Sequence, residues 1–162
     1  MKHAFLLLAA LPALSAAMPA PSPRPTTPVW TIIYETGPCF GACPVYRLTI
    51  NSGGDGTFEG RRFTAVTGMR AFRFTAAQAQ AFARQLAPLR PARGSVRYEG
   101  ERCHRRMATD MPSAEVTWRD RRGPQNLYFY YGCDMERNRA LAARLRAAPA
   151  LLPIGDFIGA RR

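Results

Sequence analysis

Cys39, Cys43, Cys103, Cys133 and His104 are the side chains in this sequence best suited to redox or metal chemistry. The spacing Cys39-x-x-x-Cys43-Pro44 places two sulfurs close along the chain, and soft sulfur ligands select Cu(I). The same pair could act as a thiol–disulfide couple if its thiolate were stabilised, which normally needs the amides at a helix start. Residues 44–51 read as a strand instead. A structural disulfide is therefore the favoured reading, with copper binding or thiol redox through Cys39, Cys43 and His104 as the alternative. Zinc held by Cys43, Cys103, His104 and Cys133 would have suitable ligand types but lacks the close paired spacing of structural zinc motifs.

Other chemistry is less well supported. His104 as a general base would need Asp110, Asp120 or Asp134 to converge on it, and the adjacent Arg105 and Arg106 oppose its protonation. Glu59, Glu99, Glu101, Asp110 and Glu115 show no pairing that spacing certifies for glycoside hydrolysis. Gly53, Gly54 and Gly56 are followed by a strand rather than by the helix a phosphate loop requires. No cofactor signature is present, and the sequence leans away from an enzyme. Two features suit binding. Tyr128, Phe129, Tyr130 and Tyr131 put aromatics on both faces of one strand, where core packing competes with a role as a stacking platform. Arg102, Arg105 and Arg106 precede the strand at residues 114–119, while Arg119, Arg121 and Arg122 end and follow it; the six form one anion-binding patch only if their loops fold to the same end of the sheet.

The elements that must position these residues begin after an export signal. Lys2, the apolar stretch 4–14 and the small residues Ser15, Ala16 and Ala17 have the form of a secretory signal cleaved after Ala17, so residues 1–17 are expected to be removed. The stretch falls short of the roughly 20 apolar residues a bilayer span needs, and no later segment comes closer. The expected location is periplasmic or secreted. Residues 18–28 are proline-rich and form an extended tether, because proline lacks the amide donor and fixes its own φ. Residues 29–162 form one domain.

Of 23 Lys and Arg, Lys2 is the only lysine; its removal leaves 22 arginines against 11 acidic residues, a net charge of +11. That excess favours an anionic envelope component, either a lipid head group or a polysaccharide. Export argues against nucleic acid. Composition offers a competing explanation, since abundant Arg, Ala, Pro and Gly with almost no Lys is what GC-rich coding produces.

Within the domain, residues 29–34 are β-branched and aromatic, apolar on both faces, and belong centrally in a sheet. Tyr46, Leu48 and Ile50 alternate with Val45, Arg47 and Thr49 as in a half-buried strand. Residues 52–56 turn the chain into an antiparallel return over 57–62. A short strand near 71–74 leads into a helix marked by the Thr75/Gln78 capping box, with Ala79, Phe82 and Leu86 at helical spacing and Pro88 and Pro91 as stops. Strands near 94–99, 114–119 and 126–131 follow, the last two forming a hairpin through 120–124. Asp134 caps a second helix over 135–148, and the apolar tail 151–158 packs back on the domain. Strands in hairpin-like runs, each followed by a helix, predict an α+β fold: a mainly antiparallel sheet with two helices on one face, stapled by disulfides.

Four cysteines in an exported chain imply two disulfides and permit three connectivities. Cys39–Cys43 with Cys103–Cys133 is the favoured one; the first pins a tight turn around Gly41, and the second closes a loop worth about 3 kcal/mol in chain entropy. The run Thr36-Gly37-Pro38-Cys39-Phe40-Gly41-Ala42-Cys43-Pro44-Val45-Tyr46, followed by Asp55-Gly56-Thr57-Phe58-Glu59-Gly60, resembles the bacterial domain of unknown function numbered 6438. Thr109-Asp110-Met111-Pro112-Ser113-Ala114 is similar to that family's later Thr-Asp-x-Pro element, and the resemblance runs from about Val29 to Leu145. It implies a mostly exported or lipid-anchored family with no established activity. Family members usually carry the first cysteine pair, which supports the favoured pairing. The Cys-x-x-x-Cys-Pro spacing also resembles the copper and thiol-redox motif of Sco-type proteins, which is the source of the alternative above.

Overall fold

A computed structural model describes residues 28–159. The expectations for residues 1–27, the signal and all but the last residue of the tether, lie outside the described residues. One seven-stranded sheet carries the fold, formed by β1 (Thr31–Thr36), β2 (Val45–Asn51), β3 (Asp55–Arg62), β4 (Gly68–Arg73), β5 (Gly94–Tyr98), β6 (Ser113–Asp120) and β7 (Gly123–Tyr130). Their order is β4-β3-β2-β1-β6-β7-β5, antiparallel throughout except for the β5/β7 pair at one edge. The strand expected to be central is central. β1 pairs with β2 on one side and β6 on the other, and Ile32, Ile33 and Tyr34 are buried in succession. Its ladder runs over 31–36 rather than 29–34, because the partner β2 ends opposite Thr31 and the chain before it is tied to the turn instead. There the Val29 N–H donates to Ser52 Oγ at 2.8 Å.

One face of the sheet is covered by helices. α1 (Ala76–Leu86) has the full capping box, with Thr75 Oγ1 accepting from the Gln78 N–H and the Gln78 side chain accepting from the Thr75 N–H. α2 (Arg139–Ala147) and the short α3 (Gly155–Ile158) complete the layer. Ala79, Phe82 and Leu86 of α1 and Leu145 of α2 join Tyr34, Leu48, Ile50, Phe58, Val116 and Phe129 in one core. The buried Tyr34 hydroxyl donates to the Leu145 carbonyl at 3.0 Å, and burial pushes its pKa up, so it stays a neutral donor. The tail packs back as expected. Ile154 is fully buried, Phe157 lies against Phe58 and Phe72, and the Ala65 and Val66 amides donate to the Ile158 and Phe157 carbonyls. Among the described residues no helix covers the opposite face, which carries Arg61–Glu35, Arg61–Glu59 and Arg47–Glu35 pairs. Exposed pairs of this kind contribute little to stability.

The second helix starts later than its cap suggested. Asp134 does accept from the Arg137 N–H at 3.3 Å, but its own N–H donates to the Arg106 carbonyl and its φ is 37°. Asn138 donates to the Cys133 carbonyl at 2.8 Å. Residues 134–138 are thereby held to the Cys103–Cys133 region as a turn, and the α-helix begins at Arg139.

Gly60 alternates with Phe58 on the core face of β3, where a Cβ would run into the Val66 carbonyl and lie 2.7 Å from Thr64 Oγ1. Gly60→Ala should lower stability by about 1–2 kcal/mol, because the 63–67 segment must shift and with it the contacts to the tail. Urea unfolding would show a lower midpoint at unchanged slope. An unchanged midpoint would mean the segment yields freely.

Candidate functional site

The β6–β7 turn follows from its four residues. Asp120 stands at the first position and Gly123 at the fourth, the preference of a type I turn, and Gly123 takes the left-handed φ of 82° that closes the hairpin. Asp120 Oδ1 accepts from the Arg122 N–H at 2.9 Å. Arg121 and Arg122 occupy the two free positions and are exposed. Pro88 and Pro91 stop the first helix and leave Arg90 between them, directed at this turn.

Arg90 donates to Asp120 Oδ2 at 2.8 Å, and through Nε to Gln125 Oε1 at 2.7 Å. A second nitrogen, Nη2, donates to the same Gln125 oxygen. Gln125 is 4% exposed on the core face of β7 and donates in turn to the Gly123 carbonyl at 2.9 Å. These contacts satisfy a buried amide that would otherwise be costly. The Arg90 hydrogen bond, reinforced by the Arg122 amide, holds the Asp120 carboxyl well below the usual carboxylate range.

Around this network lies a cleft of about 510 Å³ between α1 and the ends of β1 and β6. Trp30, Ile32, Ala83, Ala87, Pro91 and Trp118 give it apolar walls; Arg84, Arg90, Arg119 and Arg122 stand around them, with Asp120 the one carboxylate. A second hollow of about 480 Å³ shares Trp30, Thr31, Arg119 and Asp120 and adds Arg121. Taken over the two hollows, five arginines accompany one carboxylate, which already accepts from Arg90 and Arg122. Arg119 and Arg121 have no acidic partner among the described residues. The volume lies within the range of small-molecule pockets.

The six arginines singled out in the sequence do not form one patch. Arg102, Arg105 and Arg106 follow β5, which runs parallel to β7, so they lie at the end of the sheet opposite the β6–β7 turn. An eight-residue strand separates the groups by roughly 25 Å. At that far end Arg106 pairs with Glu136 at 3.5 Å. Arg119, Arg121 and Arg122 are joined instead by Arg84 and Arg90, and by Trp30 and Trp118, which sequence reasoning missed. One signal was available: Gln125 falls on the same alternation as Leu127 and Phe129, a polar residue in a core row that needs a partner.

The aromatic strand divides as its alternation requires. Phe129 and Tyr131 are core, whereas Tyr128 is covered by the Arg97 guanidinium 4.0 Å above its ring. The Tyr130 hydroxyl accepts from the Met111 N–H at 3.1 Å. The cysteines pair Cys39–Cys43 and Cys103–Cys133, the second pair fully buried. Cys39–Cys43 precedes a strand, not a helix. Its sulfurs are bonded to each other, and among the described residues no three His, Cys, Asp or Glu side chains are gathered so as to hold a metal ion; the alternative set of Cys39, Cys43 and His104 is not assembled. Exposed His104 lies at the far end from Asp120. Among the described residues no helix is long and apolar enough to cross a membrane.

Together these features define a disulfide-stapled α+β module with a ligand-sized, arginine-rimmed cleft at one end of its sheet. The chain belongs to the family described as domain of unknown function DUF6438, whose model matches residues 30–149. That span contains both disulfides and every cleft residue from Trp30 to Arg122. No curated protein matches the chain.

Proposed function

We propose that this protein is an exported, non-enzymatic binding module of the cell envelope, periplasmic or secreted, that holds an anionic envelope component at the cleft between α1 and the β6–β7 turn. The observation that carries the reading is the charge imbalance there: Arg84, Arg90, Arg119, Arg121 and Arg122 stand against Asp120 alone. Five arginines to one carboxylate there exceeds the two-to-one ratio of arginine to acidic residues in the chain after Lys2 is removed. Exposed cations focused at a concave site attract anions over about 10 Å at 0.1 M salt.

Retention on phosphatidylglycerol vesicles and on immobilised polygalacturonate tests the proposal and separates its two sources of anion. Each arginine near an anionic surface is worth about 1 kcal/mol. Arg119→Gln with Arg121→Gln should therefore weaken retention about thirtyfold at low salt, with the parent protein losing retention as salt rises. Arg102→Gln with Arg105→Gln, at the other end of the sheet, should leave it unchanged. Equal retention of the parent and the Arg119/Arg121 variant would leave the arginine excess as composition.

A further inference from the structure

Resting on the reading that the cleft holds an anion, we infer that its ligand is a small anionic amphiphile, with one carboxylate or phosphate head at the arginines and an apolar chain lying along the Trp30–Ala87 wall. The cleft is chemically divided in a way a polymer of charged sugars does not require. Its wall is formed by Trp30, Ala83, Ala87 and Pro91 over the buried Ile32 and Trp118, and its cations stand at Arg84, Arg119 and Arg122. Ala83 and Ala87 are four residues apart, so they stack on one face of the helix and its continuation, and their small side chains leave the space open. Sugar hydroxyls would need free acceptors. Asp120, the only carboxylate on the wall, already accepts from the Arg90 side chain and from the Arg122 amide and side chain. An apolar chain needs no acceptor, and the guanidinium groups at Arg84 and Arg119, neither with an acidic partner among the described residues, suit a carboxylate or phosphate head through paired N–H donors.

The chain has two tryptophans, and both line this cleft, so its intrinsic fluorescence reports on it directly. The full protein would be titrated with hexanoate, octanoate and decanoate as monomers, then with decyl phosphate, inorganic phosphate and polygalacturonate. Expected is a saturable change whose affinity rises up to roughly fourfold per added methylene, at least tenfold from hexanoate to decanoate, with decyl phosphate competing. Ala87 is exposed, so Ala87→Phe fills the cleft without overpacking the core and should weaken decanoate at least tenfold at an unchanged thermal midpoint. Arg119→Gln should weaken all chain lengths by a similar factor. Equal affinity for hexanoate and decanoate, or phosphate and polygalacturonate competing as well as decyl phosphate, would overturn the amphiphile and leave the anion site standing. No fluorescence response combined with Arg119/Arg121-dependent retention would do the same. No response with retention insensitive to those arginines would overturn both.

Discussion

Replacing Cys103 and Cys133 together by alanine is expected to remove about 3–4 kcal/mol of stability, and replacing Cys39 and Cys43 no more than about 2. The first bond joins residues 30 apart in sequence and the second residues only 4 apart, so they constrain the unfolded chain very differently. Burial adds to the contrast. Cys103 and Cys133 are fully buried, and losing both sulfurs leaves unfilled core volume, whereas Phe40 inside the smaller loop is 90% exposed. The larger loop also spans β6 and β7, and its closing residue anchors its surroundings: Met107 bridges to Cys133, and Asn138 at the head of α2 bonds the Cys133 carbonyl. The smaller loop has other fastenings, since the Gly37 and Phe40 amides donate to the Ser113 and Asp110 carbonyls, and Thr36 Oγ1 donates to the Pro44 carbonyl. Urea unfolding of the two variants and the parent without reductant measures both losses. A larger loss from the Cys39/Cys43 variant would show that the exposed loop, not the buried bond, organises the domain.

What the sequence revealed was local. The capping box at Thr75 and Gln78, the alternation of Tyr46, Leu48 and Ile50, and the hairpin at 120–124 each depend on residues within one turn or one strand, and each is where it was expected. The order of the strands is not local. β1 owes its central position to β6, whose residues lie about 80 positions further along, and β5 reaches β7 in parallel, a pairing that no turn residue announces. The late start of α2 has the same origin, because Asp134 bonds Arg106, a partner nearly thirty residues back. The cleft was hidden for this reason too: Trp30, Ala83 to Ala92 and Trp118 to Arg122 come from three separate stretches that meet only once the sheet forms. The position of half of the six arginines was legible because Arg119, Arg121 and Arg122 fall within four residues at a single turn. The other half depended on where the chain before β6 would lie, and the parallel edge strand carries it to the opposite end.

Asp120 links stability and binding with opposite signs, so its replacement discriminates between the two. Asp120→Asn keeps an acceptor for the Arg122 amide but removes the charge that holds the Arg90 and Arg122 side chains. With 18% of the Asp120 side chain exposed, water offsets part of the loss, and about 2–3 kcal/mol should go at neutral pH. The carboxyl titrates below its unfolded value of about 3.9, so its contribution is fully present above about pH 4 and fades as pH falls through the lower folded value. Unfolding curves of parent and variant should therefore lie apart at pH 7 and draw together below about pH 4. Anion affinity should move the other way. The only negative charge on the cleft wall is gone, and Arg90 and Arg122 are released from it, so retention on phosphatidylglycerol vesicles at low salt should rise severalfold while the protein becomes easier to unfold. If retention fell together with stability, the charge imbalance would not govern binding. Asp120 would then act by fixing the direction of Arg90 and Arg122, and the site would depend on the geometry of its guanidinium groups more than on their number.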